Sequence, residues 1–293
     1  MSSGAWRERY VDIDGVRTHY LEAGEGETIL LIHGGGVWSC AELNYGPVFP
    51  CLSDHFRVVA VDVPGFGLTD GRAPQHFSET ARGDFLVRFL RSLGTKVHLG
   101  GNSVGGWLAL YLALEVPELV QSLHLINSGS VVVSDRRDDD ETRYDPRWAV
   151  PATRPTAAWV RRELREFYLN SAVITDERVE LTLAMASRNY DFAVARQLAT
   201  GTTSEERNRY LWYRGRPISE HVGTLAMPVL VSWSRENRGA SVAQALPTFD
   251  RLAAAEMHVW VGAGHHVQVE YPESWSAVVR TFIETRAGPG GRR

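Results

Sequence analysis

The segment Gly101-Asn102-Ser103-Val104-Gly105-Gly106 constrains this chain more than any other. It follows an apolar run, Lys96 to Leu99, that reads as a buried strand. It precedes Gly105 to Glu115, whose apolar residues recur at helical spacing. A serine on so sharp a strand-to-helix turn is held in a strained backbone geometry. Flanking glycines allow the close packing, and the helix N-terminus favours developing negative charge. Ser103 is therefore a candidate nucleophile, and its setting predicts a sheet with helices packed on it.

The other apolar runs agree with an α/β fold, a mostly parallel central sheet flanked by helices. Arg9 to Ile13 and Val16 to Glu22 flank Asp14-Gly15 and predict an antiparallel hairpin. Thr28 to Ile32, Phe56 to Asp62 and Val120 to Ile126 read as buried parallel strands, and Ser78 to Leu93 as a helix ending at Gly94. The strand rhythm then stops, returning at Pro228 to Trp233 and Glu256 to Val261. Between lie a charge run from Ser134 to Glu141, read as a solvated loop, and helical patterns over Thr156 to Tyr168, Asp176 to Arg188 and Asp191 to Leu198. A helical insertion between two sheet strands is most simply a lid. The expected organisation is a core of residues 1–127 and 227–293 carrying a lid of residues 128–226, with a frayed tail after Ala287.

Composition excludes several functions. With 31 basic against 35 acidic residues, a net charge of -4 and no basic stripe, nucleic acid is not an expected partner. The apolar stretch Trp107 to Leu114 is far shorter than the roughly 20 residues a membrane helix needs. The N-terminus lacks the apolar segment of a secretory signal, so a cytoplasmic location is expected. Cys40 and Cys51 form neither a disulfide framework nor a zinc pattern, and no metal or organic cofactor is implied. The expected partner is a small molecule.

Two further loops belong with the serine. His33-Gly34-Gly35-Gly36 follows the strand ending at Ile32 and brings bare backbone N–H groups near the nucleophile. Gly35 or Gly36, with the N–H of Val104, would hold an oxyanion. Gly262-Ala263-Gly264-His265-His266 leaves the last strand at the same sheet edge. His265 is the candidate general base there, with His266 as the alternative.

Ser-before-His order, the elbow and the His-Gly-Gly-Gly loop resemble the α/β-hydrolase superfamily over nearly the whole chain. Within it, His33-Gly34-Gly35-Gly36, Asn44-Tyr45, Val61-Asp62-Val63-Pro64-Gly65-Phe66-Gly67, the elbow and Gly264-His265 resemble the meta-cleavage product hydrolases. That resemblance implies hydrolysis of a carbon–carbon bond in dienoic ring-fission products of aromatic catabolism, and a homodimer as one assembly. Asn44 and Asn102 would donate or orient hydrogen bonds near the site, or Asn102 would only stabilise the elbow.

Three positions depart from that family. Its triad acid falls at Asn237, within Trp233-Ser234-Arg235-Glu236-Asn237-Arg238, and the other place for an acid is Asn127-Ser128. Either Glu236 swings in, or Asn237 orients His265 as an amide, which fixes the tautomer without balancing an imidazolium. The tryptophan that usually follows the histidine is His266. The lid arginine that grips a substrate carboxylate falls, without gaps, at Thr182, and Arg188 is the nearest downstream substitute.

The insertion is rich in aromatics, including Trp148, Trp159, Phe167, Tyr168, Tyr190, Phe192, Tyr210, Trp212 and Tyr213, and Trp38 follows the oxyanion loop. A bulky, largely apolar or aromatic substrate is expected. The leading expectation is a serine-nucleophile hydrolase of an ester, lactone or ketone carbon–carbon bond. A non-hydrolytic cyclase, lyase or isomerase on the same fold is the alternative, motivated by the missing acid. A non-catalytic small-molecule binder is a third.

Overall fold

The Asp14-Gly15 turn, with both residues at positive φ, joins β1 (Arg7–Ile13) to β2 (Val16–Ala23) in the expected hairpin. The computed structural model describes residues 4–132, 150–200 and 212–287. The charge run from Ser134 to Glu141, Trp148, Tyr210 and the tail beyond Ala287 lie outside the described residues.

The strands β3 (Thr28–Ile32), β4 (Arg57–Val61), β5 (Val97–Asn102), β6 (Val120–Ile126), β9 (Val229–Ser234) and β10 (Ala255–Trp260) complete the main sheet; β7 (Trp212–Tyr213) and β8 (Arg216–Pro217) form a small separate ribbon. The order is β1-β2-β4-β3-β5-β6-β9-β10, antiparallel through the first three strands and parallel from β4 onward. β3, β5 and β9 are buried at every residue, which explains why they read as continuous apolar runs rather than alternating ones.

The helices are α1 (Ala41–Tyr45), α2 (Phe49–Leu52), α3 (Glu79–Ser92), α4 (Val104–Glu115), α5 (Ala157–Phe167), α6 (Asp176–Thr200), α7 (Val242–Phe249), α8 (Val267–Glu270) and α9 (Pro272–Phe282). Two apolar clusters cover the two faces of the sheet. One gathers α3 and α4 around Phe85, Phe89, Trp107 and Leu110, and the other gathers α2 and α9 around Phe49, Leu52, Trp275 and Phe282. The parallel strands therefore end at a common edge, where loops carrying His33, Ser103 and His265 emerge.

The sequence pattern predicted two helices between Asp176 and Leu198, whereas the structure has one continuous α6. Asn189 and Tyr190, which weakened the pattern there, hydrogen-bond outside the helix to Val37 O and Pro151 O. These tertiary bonds stand where a break was expected. Of the aromatics in the insertion, Phe192 packs on Phe66 and Phe77, and Tyr213 on Tyr111, so both serve the core. Phe167 and Tyr168 instead face the histidine pair.

Candidate active site

Ser103 stands between β5 and α4 with φ 57 and ψ -122, a conformation side-chain-bearing residues rarely adopt. Glycines make the turn feasible. A Cβ on Gly101 would lie 2.0 Å from Gly105 O, and one on Gly105 would lie 2.1 Å from Ile32 O. The elbow is also tied down by hydrogen bonds. Ser103 N–H donates to Ile126 O at 2.9 Å, while Ser103 O accepts from the hydroxyls of Ser128 at 2.6 Å and Ser130 at 3.0 Å. The strain is thus held by neighbouring β6 and the turn after it.

The loop after β3 lies against this elbow. A Cβ built on Gly34 would meet Ser103 Cβ at 3.4 Å, and one on Gly35 would meet Val104 Cγ2 at 3.2 Å. Of the two glycines proposed for an oxyanion hole, Gly35 is therefore beside Val104. Gly36 belongs to the turn closed by Ser39 N–H and faces Trp38. His33 shapes this loop by donating Nδ1–H to Gly34 O at 2.7 Å and accepting from Val63 N–H at 3.0 Å. Burial pushes its pKa down, consistent with that neutral role. Asn44, fully buried in α1, accepts at Oδ1 from Gly34 N–H at 3.5 Å and donates to Cys40 O. Asp62, in the motif after β4, accepts from Ala41 N–H, Leu68 N–H and His19 Nδ1, fixing the start of α1.

The loop after β10 brings His265 to the same edge. Its carbonyl accepts from the side-chain amides of Asn102 at 3.2 Å and Asn127 at 3.1 Å, and its N–H donates to Phe167 O at 2.7 Å. Asn127 also accepts Ser234 N–H at 2.7 Å, so the second expected acid position is spent on holding this loop. Asn237 Oδ1 lies 2.8 Å from His265 Nδ1. An amide oxygen can only accept, so it fixes the proton on Nδ1 and leaves Nε2 as the basic nitrogen. Burial pushes the pKa of His265 down to about 4.

Glu236 does not take that place. Its carboxylate accepts Gly262 N–H at 2.9 Å, as the one-residue offset turns the side chain toward the loop backbone. Arg188 also departs from expectation. Its Nε donates to Gly67 O at 2.8 Å, which makes it a strut between α6 and the loop after β4.

Arg178, which sequence reasoning passed over, lies one helical turn before Thr182 on α6. It donates to Leu43 O at 3.0 Å and to the Tyr168 hydroxyl at 3.4 Å, and its positive charge acts on His266. The signal available was this i, i+4 spacing from Thr182.

His266 is buried among Trp38, Phe167 and Tyr168, with ring centroids 5.6, 5.8 and 5.4 Å away. Burial lowers its pKa, and the neighbouring His265 and Arg178 lower it further. Among the described residues, buried polar atoms without a partner include Asn102 Oδ1, Thr182 Oγ1, Asn237 Nδ2, His266 Nδ1 and Gln268 Oε1. Left unpaired in a core, such atoms cost free energy unless a bound ligand or water pairs with them.

The α/β hydrolase fold family matches residues 27–272. The chain belongs to that family. The family includes relatives of nearly the same length. The chain is 28% identical to the 2-hydroxy-6-oxo-6-(2'-aminophenyl)hexa-2,4-dienoic acid hydrolase of Metapseudomonas resinovorans, covering 98% of this chain and 94% of that one. It is 29% identical to the 2-hydroxymuconate semialdehyde hydrolase of Pseudomonas sp. strain CF600, covering 92% and 91%. Among solved structures, the meta-cleavage product hydrolase of Pseudomonas fluorescens IP01 superposes with a TM-score of 0.79 at 27% identity, covering 94% of this chain and 97% of that one. This α/β hydrolase has no helix, among its described residues, long and apolar enough to cross a membrane. Nor do those residues contain a His, Cys, Asp or Glu group able to hold a metal.

Proposed function

We propose that this α/β hydrolase cleaves the ketone-bearing carbon–carbon bond of an aromatic ring-fission dienoate, with Ser103 as nucleophile and His265 as base. The observation that carries the catalytic assignment is the 2.8 Å bond from Asn237 to His265 Nδ1, which orients a histidine anchored to the serine elbow through Asn102. The substrate class rests on the full-length similarity to relatives named for such hydrolyses.

In this reading Ser103 Oγ adds to the ketone carbon and its proton passes to His265 Nε2. The resulting oxyanion is held by the N–H groups of Val104 and Gly35. The carbon–carbon bond then breaks, and the departing carbon takes the proton from His265. Water, deprotonated by the same histidine, releases the acid from Ser103. The insertion acts as a lid. Arg178 faces the substrate carboxylate, while Trp38, Phe167 and His266 receive the ring-bearing arm. Asn237 weakens the base, so a well-stabilised leaving carbanion suits this site better than a poor leaving group.

The test is turnover of a 6-aryl-2-hydroxy-6-oxohexa-2,4-dienoate, followed by loss of dienoate absorbance and by product mass. Products that together weigh one water more than the substrate, absent with Ser103→Ala, support the proposal. Cleavage of simple esters with no dienoate turnover overturns the substrate assignment. The amide at position 237 favours a second reading, a non-hydrolytic enzyme on this fold, whose product would show no added water.

A further inference from the structure

We propose that Glu270 is a positioning residue that locks the lid and the catalytic-histidine loop into one unit, so that seating the end of α5 and setting His265 are a single event. The inference rests on the reading of Ser103 and His265 given above. Glu270 is buried in α8, and its two oxygens face different parts of the molecule. Oε1 accepts Gly264 N–H at 2.7 Å, the residue directly before His265. Oε2 accepts the N–H groups of Leu169 and Asn170, each at 2.8 Å, just past the end of α5.

The same junction is closed twice more. His265 N–H donates to Phe167 O at 2.7 Å, and the Phe167 ring stands edge-on to the His265 ring at 5.6 Å. Gly264 is required for the approach, because a Cβ there would lie 2.2 Å from Phe167 O. The base's backbone is thus held by the lid on one side and by the amides of Asn102 and Asn127 on the other.

A carboxylate is the right group for this junction. It presents acceptors in both directions, and three N–H donors converge on it. Burial pushes its pKa up, and the three donors act against that shift. A glutamine of equal size offers an acceptor on one side and N–H groups on the other, so it can serve the lid or the histidine loop but not both. A misplacement of about 1 Å at a catalytic group costs on the order of 100-fold in rate. Partial release of this clamp is expected to slow reaction at Ser103 by 10-fold or more.

The experiment compares wild type, Glu270→Gln and Gly264→Ala by hydrogen–deuterium exchange and by the rate of Ser103 modification with a small fluorophosphonate, at a temperature well below each Tm. The fluorophosphonate makes no demand on substrate binding, so its rate reports the serine–histidine pair itself. Exchange rising together in residues 165–172 and 262–271, with modification slowed at least 10-fold, supports the proposal. Gly264→Ala keeps the carboxylate but pushes the lid away, and the same pair of effects is expected from it should Glu270→Gln not fold. Unchanged exchange in either segment, or a wild-type modification rate in a folded variant, overturns it. A wild type that is never modified removes the nucleophile reading instead, and the exchange data alone then decide the clamp.

Discussion

Replacing Asn237 by Asp tests the unusual feature of this site directly. The perturbation is nearly isosteric, and it puts a carboxylate oxygen where Oδ1 now lies 2.8 Å from His265 Nδ1. Wild-type His265 is pushed down to about 4 by burial, and its partner at Nδ1 is an uncharged amide oxygen. A carboxylate roughly 4 Å from the imidazolium centre, at an effective dielectric of about 20, favours the protonated histidine by about 4 kcal/mol. At 1.36 kcal/mol per unit that is about 3 pKa units, which would carry His265 from about 4 to about 7. The sign is definite. The acid limb of kcat/KM should move up in pH by several units, because the base is lost to protonation sooner. Above that limb the variant should be faster, since the carboxylate now balances the imidazolium formed when Ser103 is deprotonated. In serine proteases the reverse change costs about four orders of magnitude in turnover, and a gain of 10-fold or more above pH 8 is expected here. The assay is the pH profile of fluorophosphonate modification of Ser103, which avoids any choice of substrate. An unmoved acid limb with a rate within two-fold of wild type would refute the argument that Asn237 acts through His265.

Other variants separate neighbouring residues. Arg178→Gln should raise KM for a carboxylate-bearing dienoate by about 10- to 100-fold with little change in kcat, as expected for loss of a charge-assisted contact. Arg188→Gln, which removes only the strut to Gly67 O, should shift Tm and leave KM within two-fold; the opposite pattern would exchange their roles. His266→Trp fills the space among Trp38, Phe167 and Tyr168 with a larger ring and removes an unpartnered polar atom. Steady-state kinetics should then show a raised KM for substrates with a bulky ring and a smaller change for those with a short alkyl arm. Stability should also depend on pH. His98 and His265, near 4, and His124, near 3, are all depressed by burial, so the unfolded chain takes up protons first as pH falls. Their contribution is complete above about pH 6.5 and is lost on the way down to about pH 4 for His98 and His265 and about pH 3 for His124. The urea midpoint should therefore drop between pH 7 and 4.5, and a flat midpoint would contradict this.

The parts of the site legible in sequence were those in which backbone geometry dictates residue type. The elbow glycines are demanded by contacts near 2 Å with Gly105 O and Ile32 O, and a pattern of glycines around a serine records such contacts directly. The family resemblance pointed to the segment after β9 but left Asn237 and Glu236 open, and only the structure puts Asn237 Oδ1 on His265 Nδ1 while Glu236 accepts Gly262 N–H. Arg178 was not legible, because a helix carrying three arginines gives no sign of which one turns inward; that is set by Leu43 O and the Tyr168 hydroxyl. Glu270 was hidden for a similar reason. Two of its three partners are backbone N–H groups about 100 residues away in sequence, and backbone donors leave no trace in residue identity. The continuous α6 was read as two helices because Asn189 and Tyr190 interrupt the apolar pattern while making tertiary bonds.

The neutrality of the polar groups around His265 bears on the chemistry. Three asparagines hold this residue, Asn102 and Asn127 at its carbonyl and Asn237 at its ring, while Glu236 and Glu270 both turn their charge onto backbone N–H groups. In the proposed reading, proton transfer from Ser103 to His265 creates an imidazolium whose partner at Nδ1 is an amide oxygen rather than a carboxylate. In that reading the step is favoured when the alkoxide is consumed as it forms, by a strongly electrophilic carbonyl whose oxyanion the proposed N–H groups of Val104 and Gly35 would catch. The following bond cleavage must also draw the proton back readily, which a conjugated carbanion of a dienoate does as it becomes neutral. Burial keeps His265 unprotonated down to about pH 4. A carboxylate at position 237 is expected to strengthen the base but to silence it below neutrality, so in the proposed reading wild type should keep its rate of Ser103 modification further into acid than Asn237→Asp.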